Sequence, residues 1–374
     1  MRILHVVNTI YQGGIRTLLL DMVKYQLNQG NEVAILCLID NDKYFTTSKE
    51  FAATGVKIIR GASKDSYSPR SILNIKKNLE NYDVVHVHQF PNQLYAKVAN
   101  NLIPCSKRPV LVTTEHNTYN NRRKYPVLKY LDRWFYKGYD GIICISDSTE
   151  ENLKTWLKSK SLNKKIKTIT NGIPLDRFAN AENKLAQILG ERYREDHKYL
   201  VMVARMEYPK DPQTLLKVLP LVAKNIDIIY VGDGNYCDDI REAAKKMGVE
   251  NRVHIMGNRS DVPEILKGSD IGVLSTKWDG FGLVAAEYMA AGLPVLITNV
   301  DGLRDVVNDK DATFPYQDSK TLATKITKLL TDEEYRKEKV SHSLNRARHF
   351  SVDQMNEKYL QLYNELLKDK QSSQ

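Results

Sequence analysis

The segment Asp279-Gly280-Phe281-Gly282-Leu283-Val284-Ala285-Ala286-Glu287 holds two acids with seven residues between them, and a phenylalanine between two glycines. After Gly282 it reads as a helix of small residues, with Ala286, Met289, Ala290 and Ala291 around Glu287. A carboxylate in such company is costly unless it has a partner. Glu287 is therefore a candidate ligand-binding acid, set against the plainer reading of a partly exposed acid on an amphipathic helix. Phe281, Gly282 and Leu283 open that helix, where backbone amides can meet an anion or a sugar hydroxyl. Arg205 and Lys210 follow the apolar run Tyr199–Ala204. Ligands of open α/β sheets bind beyond the carboxyl ends of strands. Two cations there suit a phosphate pair, although two ordinary surface cations would read the same way.

Three further groups sit where a strand gives way to a loop. Gly13 and Gly14, in Tyr11-Gln12-Gly13-Gly14-Ile15, let the backbone approach an anion at a helix N-terminus. The full G-x-G-x-x-G pattern is absent, so an ordinary tight turn is the competing reading. Val231-Gly232-Asp233-Gly234 is not a P-loop, since no Gly-Lys-Ser/Thr follows. His116 follows a strand in Thr113-Thr114-Glu115-His116-Asn117 and is a candidate for the active cleft. His86 and His88 share one face of a strand, but no carboxylate–cysteine set accompanies them, and no metal is expected.

The elements that carry these residues alternate strand and helix. Strand candidates are Arg2–Asn8, Glu32–Leu38, Val56–Arg60, Asp83–His88, Val110–Glu115 and Gly141–Ser146, then Tyr199–Ala204, Ile226–Val231, Val253–Met256, Ile271–Ser275 and Val295–Thr298. Helix candidates include Ile15–Leu27, Val127–Lys137, Pro212–Val222, Tyr236–Met247 and Leu283–Ala291. Continuous apolar strands between amphipathic helices predict α/β architecture, with parallel sheets covered on both faces. The polar stretch 174–196 separates the two series, which fits two domains in 374 residues. Ser351-Val352-Asp353 starts a final helix, with Met355, Tyr359, Leu362, Tyr363 and Leu366 on one stripe.

Composition narrows the function classes. No run of about 18 apolar residues is present, so no membrane span is expected. The N-terminal residues lack the features of a secretory signal. Cys37, Cys105, Cys144 and Cys237 are scattered without a C-x-x-C, which fits a reducing cytosol. Residues 1–175 hold 26 Lys and Arg against 14 Asp and Glu, net +12, whereas residues 176–374 are net −2. The first half is thus expected to meet an anionic surface or ligand, a solubilising lysine-rich surface being the alternative. Arg122, Arg123, Lys124 and Tyr125, followed by Lys129, Tyr130, Arg133, Trp134 and Lys137, suit an anionic membrane interface. Trp134 and Phe135 also fit an ordinary sheet-covering helix. No helix-turn-helix, zinc-finger or RNA-recognition signature supports nucleic acid as a partner.

Taken in order and spacing, these motifs resemble the GT-B glycosyltransferases, specifically the retaining family 4 type. Asn171-Gly172-Ile173-Pro174 and Thr298-Asn299-Val300-Asp301-Gly302 resemble further family segments, so the likeness covers nearly the whole chain. It implies two Rossmann-like doubly wound domains facing across a cleft, with the C-terminal helix crossing back to the first. On this reading residues 1–175 plus 351–374 form the acceptor-side domain, and residues 176–350 the nucleotide-sugar domain. It implies transfer of a hexose or N-acetylhexosamine from a nucleoside-diphosphate sugar, with UDP the expected nucleotide, to a sugar or lipid-linked sugar in cell-surface polysaccharide assembly. Glu287 would hold the donor ribose. Arg205 and Lys210 would neutralise the diphosphate, with Gly13 and Gly14 offering amides to it. Asp279, Phe281, Gly282 and Leu283 would line the donor sugar, and His116 would serve it from the other domain. The family usually has Glu at position 279 and Gly at 301. No metal cofactor is implied, because the two cations can stabilise the leaving group. The expected location is the cytoplasm, peripheral to the inner face of the membrane. A nucleotide-sugar epimerase, or a non-catalytic sugar-nucleotide binder on the same fold, is the alternative.

Overall fold

The computed structural model describes residues 1–10, 14–39, 49–116 and 120–372. The chain divides into two compact units, Met1–Gly172 with Val352–Gln374, and Ile173–Ser351.

In the first unit the strands are β1 (Arg2–Val7), β2 (Glu32–Ile39), β3 (Lys57–Ser63), β4 (Val84–His88), β5 (Val110–Glu115), β6 (Gly141–Cys144) and β7 (Ile166–Thr168). They form a parallel sheet in the order β3-β2-β1-β4-β5-β6-β7. Every residue of β4 and β5 is buried, as expected of strands covered on both faces. One face packs Leu4, Val85, Leu111 and Ile142 beneath Ala96, Phe135 and Tyr136. The other packs Ile3, Val84, Val110 and Ile143 against α1 (Gly14–Asn28) and the C-terminal helix Val352–Ser372. That last helix buries Met355, Tyr359, Leu362 and Tyr363, each contributing on the order of 1.5–3 kcal/mol by leaving water. The predicted stripe is therefore the face that docks. Leu366 is partly buried beside it.

In the second unit the strands are β8 (Lys198–Val203), β9 (Ile226–Val231), β10 (Val253–Ile255), β11 (Ile271–Leu274), β12 (Val295–Thr298) and β13 (Thr313–Phe314). Their order is β10-β9-β8-β11-β12-β13, again parallel. Both sheets reverse direction beside their first strand, between β1 and β4 in one unit and between β8 and β11 in the other. Ligands of doubly wound sheets bind outside the carboxyl ends of strands at this reversal. The loops after β1, β4, β8 and β11 are therefore the places to look for chemistry. Among the described residues no helix is long and apolar enough to cross a membrane.

Candidate functional site

In the second unit the loop after β8 and the loop after β11 are tied into one surface. Lys277 N donates to Pro209 O at 2.9 Å, Thr276 Oγ1 to the same carbonyl at 3.2 Å, and Ser275 Oγ to Asp211 O at 2.6 Å. Lys210 Nζ then reaches Asp279 Oδ2 at 2.5 Å. The other oxygen of Asp279, Oδ1, accepts from Phe281 N at 3.1 Å and Gly282 N at 2.8 Å. Burial alone would raise the Asp279 pKa. The Lys210 charge and the two amides override it and hold the carboxyl below its ordinary value. Asp279 thus orders the helix entrance and holds Lys210. The shorter acid folds back on its own loop, and both of its oxygens are engaged there.

Glycine geometry explains the rest of this corner. Gly282 has φ +85°, a left-handed conformation suited to glycine, directly before helix Leu283–Ala290. A Cβ on Gly302 would lie 2.6 Å from Asp279 O, so glycine there lets the 301–302 turn rest on the acid loop. Asp301, where the family pattern has glycine, pairs instead with Arg304. A Cβ on Gly272 would lie 2.3 Å from the Tyr288 ring. That ring sits tight on β11, and its hydroxyl accepts from Val203 N at 2.6 Å. The helix that carries Glu287 is thereby pinned to the end of the strand that leads to Arg205 and Lys210. Glu287 is half-buried on that helix, and Leu283 is half-buried at its start. Arg205 is largely exposed, held by Glu207 at 2.5 Å. Gly232 and Gly234 have a packing role: Cβ atoms there would strike Ala204 O at 1.9 Å and Met206 O at 2.5 Å.

Sequence reading missed the aromatic rim of this corner. Tyr208 and Trp278 meet edge-on at 4.8 Å, with Lys277 Nζ 5.8 Å from one ring and 5.9 Å from the other. Both rings are about half exposed. Neither residue belongs to a spacing pattern, so only their places next to Pro209 and Asp279 could have flagged them.

In the first unit a cavity of about 360 Å³ opens at the ends of β1, β4 and β5, lined by Asn8, Gln93, Glu115, His116, Asn120 and Arg122 among others. Glu115 is buried and accepts from Tyr136 OH and, at 2.8 Å, from Gln93 Nε2. Arg123 lies 3.7 Å from its other oxygen. Arg122 stacks 3.7 Å over Phe90 and bonds Asp132 at 3.3 Å. These two guanidinium groups, expected at a membrane interface, are committed to internal ion pairs and only about a tenth exposed. Lys124, Tyr125, Pro126, Val127 and Tyr130 are exposed in that stretch. The following helix splits the aromatic pair: Trp134 is 45% exposed and Phe135 is fully buried.

Gly14 is the exposed first residue of α1, and Gly13 lies outside the described residues. His86 and His88 are buried with His5, their ligand atoms within 4.8 Å of one another. Hydrogen bonds already join these rings to each other and to Gln26, Thr114, Tyr363 and His116. Asp309-Lys310-Asp311 has the spacing of a metal-binding acid pair, but its carboxylates lie 2.8 and 3.4 Å from Lys339.

Against known proteins, a family model described as Glycosyltransferase Family 4 matches residues 12–177, and one described as Glycosyl transferases group 1 matches residues 187–343. The chain belongs to the family 4 glycosyltransferases. Among relatives of this glycosyltransferase chain is the Escherichia coli UDP-Gal:alpha-D-GlcNAc-diphosphoundecaprenol alpha-1,3-galactosyltransferase. It is 29% identical over 66% of this chain, which spans 65% of that protein's length. The Bacillus anthracis N-acetyl-alpha-D-glucosaminyl L-malate synthase is 28% identical over 78% of this chain and 76% of its own. The structure of Anabaena HepE with UDP and glucose superposes with a TM-score of 0.82 at 18% identity, covering 98% of this chain and 100% of that one. This likeness shows the GT-B fold: two Rossmann-like parallel-sheet units.

Proposed function

We propose that this glycosyltransferase moves a hexose or N-acetylhexosamine from a UDP-sugar to a sugar acceptor, lipid-linked, in cell-surface polysaccharide or glycolipid assembly. The observation that carries the proposal is the clamp in the second unit, where one acid holds a lysine at 2.5 Å and orders two amides. A departing nucleoside diphosphate develops negative charge, and fixed cations beside it stabilise the transition state. The Phe281 and Gly282 amides, expected to meet an anion, instead donate to Asp279 and hold the loop in shape. Lys210 is pre-positioned for that work, and Arg205 stands on the same loop. Glu287 would receive the ribose hydroxyls, Phe281, Gly282 and Leu283 the donor sugar, and Gly14 the phosphates. No step needs a metal, since the cations supply the positive charge. Retention of configuration follows the family resemblance, with attack on the face the phosphate leaves. The UDP-Gal donor and diphosphoundecaprenol-linked acceptor of the Escherichia coli relative, and the UDP bound in the HepE structure, support UDP and a lipid-diphosphate acceptor.

The test is a thermal-shift panel of UDP-, GDP- and ADP-sugars, since a ligand that binds the folded state raises its melting temperature. A UDP-sugar should give the largest shift and EDTA should not reduce it. A shift with GDP- or ADP-sugars alone would overturn the choice of nucleotide.

The same proposal places the first unit against an anionic membrane. The exposed Lys124, Tyr125, Val127, Tyr130, Trp134 and Lys137 combine two cations with amphipathic rings, as an interface requires. Liposomes with anionic lipid should pull the protein down at low salt and release it as salt screens the charges. Lys124→Glu combined with Trp134→Ala should weaken that binding. Reversing Arg122 and Arg123 would instead break internal ion pairs. No sedimentation at low salt would favour a soluble acceptor.

A further inference from the structure

Two buried imidazoles, His5 and His88, and the partly buried His116 form a chain that ends at the cavity of the first unit. Gln26 Oε1 lies 2.8 Å from His5 Nε2, His5 Nδ1 lies 3.1 Å from His88 Nε2, and His88 Nδ1 lies 3.0 Å from His116 Nε2. Gln26, His5 and His88 are at most 1% exposed, and His116 lines the cavity. The register of β1 beside β4 and of β4 beside β5 sets the rings in line.

Such a chain has few allowed proton arrangements. A neutral imidazole carries one N–H and one bare nitrogen. Each link between two rings holds one proton, so fixing one ring fixes the next. The Gln26 carbonyl oxygen can only accept, which places the His5 proton on Nε2. His5 Nδ1 is then bare, so His88 donates from Nε2. His88 Nδ1 is bare in turn, so His116 donates from Nε2 and keeps Nδ1 unprotonated. The rings are neutral near pH 7: burial lowers His5 and His116 to about 4 and holds His88 well below its ordinary value.

We propose that Gln26, His5 and His88 are positioning residues that lock His116 as its Nε2–H tautomer, so that Nδ1 meets a substrate hydroxyl in the cavity as an acceptor. The substrate half rests on the reading above that His116 serves a sugar. The ring nitrogen that faces a partner is set by the hydrogen bond the other nitrogen makes.

Substituting Gln26 separates this idea from simple packing. In Gln26→Glu a carboxylate beside His5 Nε2 favours the imidazolium, which donates from both nitrogens. His5 Nδ1–H then points at His88 Nε2, both links reverse, and His116 carries its proton on Nδ1. Gln26→Leu removes the anchor and should leave a mixture. Long-range 15N–1H correlation spectra of the labelled protein read these states directly, with His116→Asn to assign its ring. Expected are bare Nδ1 in the unsubstituted protein, protonated Nδ1 in Gln26→Glu and a mixture in Gln26→Leu. Turnover in Gln26→Glu should fall by about tenfold, as a donor replaces an acceptor opposite a hydroxyl. A protonated His116 Nδ1 in the unsubstituted protein, or a tautomer that neither variant moves, would overturn the lock. A tautomer that moves with turnover unchanged would overturn the substrate half and leave the lock standing.

Discussion

Lys210→Ala is expected to lower kcat by about 100- to 1,000-fold, the loss found when one pre-organised charge-stabilising donor is removed. Both units should stay folded. The donor KM should change far less than kcat, because the charge that Lys210 meets grows as the diphosphate departs. Steady-state kinetics with a circular-dichroism melt checks both points. The variant also leaves Asp279 with its two amide donors and no cation. In the unsubstituted protein the Asp279 pKa is depressed, so the pair stabilises the fold above the unfolded carboxyl pKa of about 4. That contribution is lost as pH falls through the depressed value. Without Lys210 burial dominates and the carboxyl rises. The gap in melting temperature between the two proteins should therefore be widest near neutral pH and close in acid. A gap that widens in acid would contradict the clamp.

Glu287→Ala is expected to reduce kcat/KM for the donor on the order of 10²- to 10⁴-fold, as two charged hydrogen bonds to ribose are lost. Here the loss should fall on affinity, since the ribose lies away from the reacting bond and binds ground and transition states alike. Glu287→Gln should lie between, keeping the shape but not the charge. Titration calorimetry with UDP measures it. Unchanged UDP affinity in Glu287→Ala would remove the residue from the nucleotide site. Glu287 stays in place through Tyr288, which wedges over Gly272 and binds Val203 N, so the helix itself should survive the substitution.

How much of this was legible depended on the length of the signal. The longer apolar strands β2, β5 and β9 announce themselves as runs with turn residues at each end. The edge strands Ile166–Thr168 and Thr313–Phe314 do not, because two or three residues carry no period. The helix read over Pro212–Val222 stops at Leu216 and continues as a 3₁₀ turn over Leu219–Leu221, with Pro220 unable to donate in the ladder. The clamp residues were legible by type and by position at strand ends. Their mutual geometry was not, because the Lys210–Asp279 bond joins residues 69 apart. Arg122 and Arg123 show the opposite error. A run of cations looks solvated in sequence, whereas buried acids from Glu115 and Asp132 had already taken them. His86-Val87-His88 was visible as a pair, but its meaning came from strand register, which sets His5 beside His86.

The central claim is transfer from a nucleoside-diphosphate sugar, and turnover of UDP-sugars tests it most directly. The protein is incubated with UDP-sugars in excess EDTA, without acceptor and then with a lipid-diphosphate sugar, and both nucleotide and sugar are followed. The account predicts free UDP in step with loss of the UDP-sugar, slow by hydrolysis alone and fast with acceptor. Interconversion of sugars with the nucleotide still attached would show an epimerase instead, and melting protection with no UDP released under either condition would show a binder.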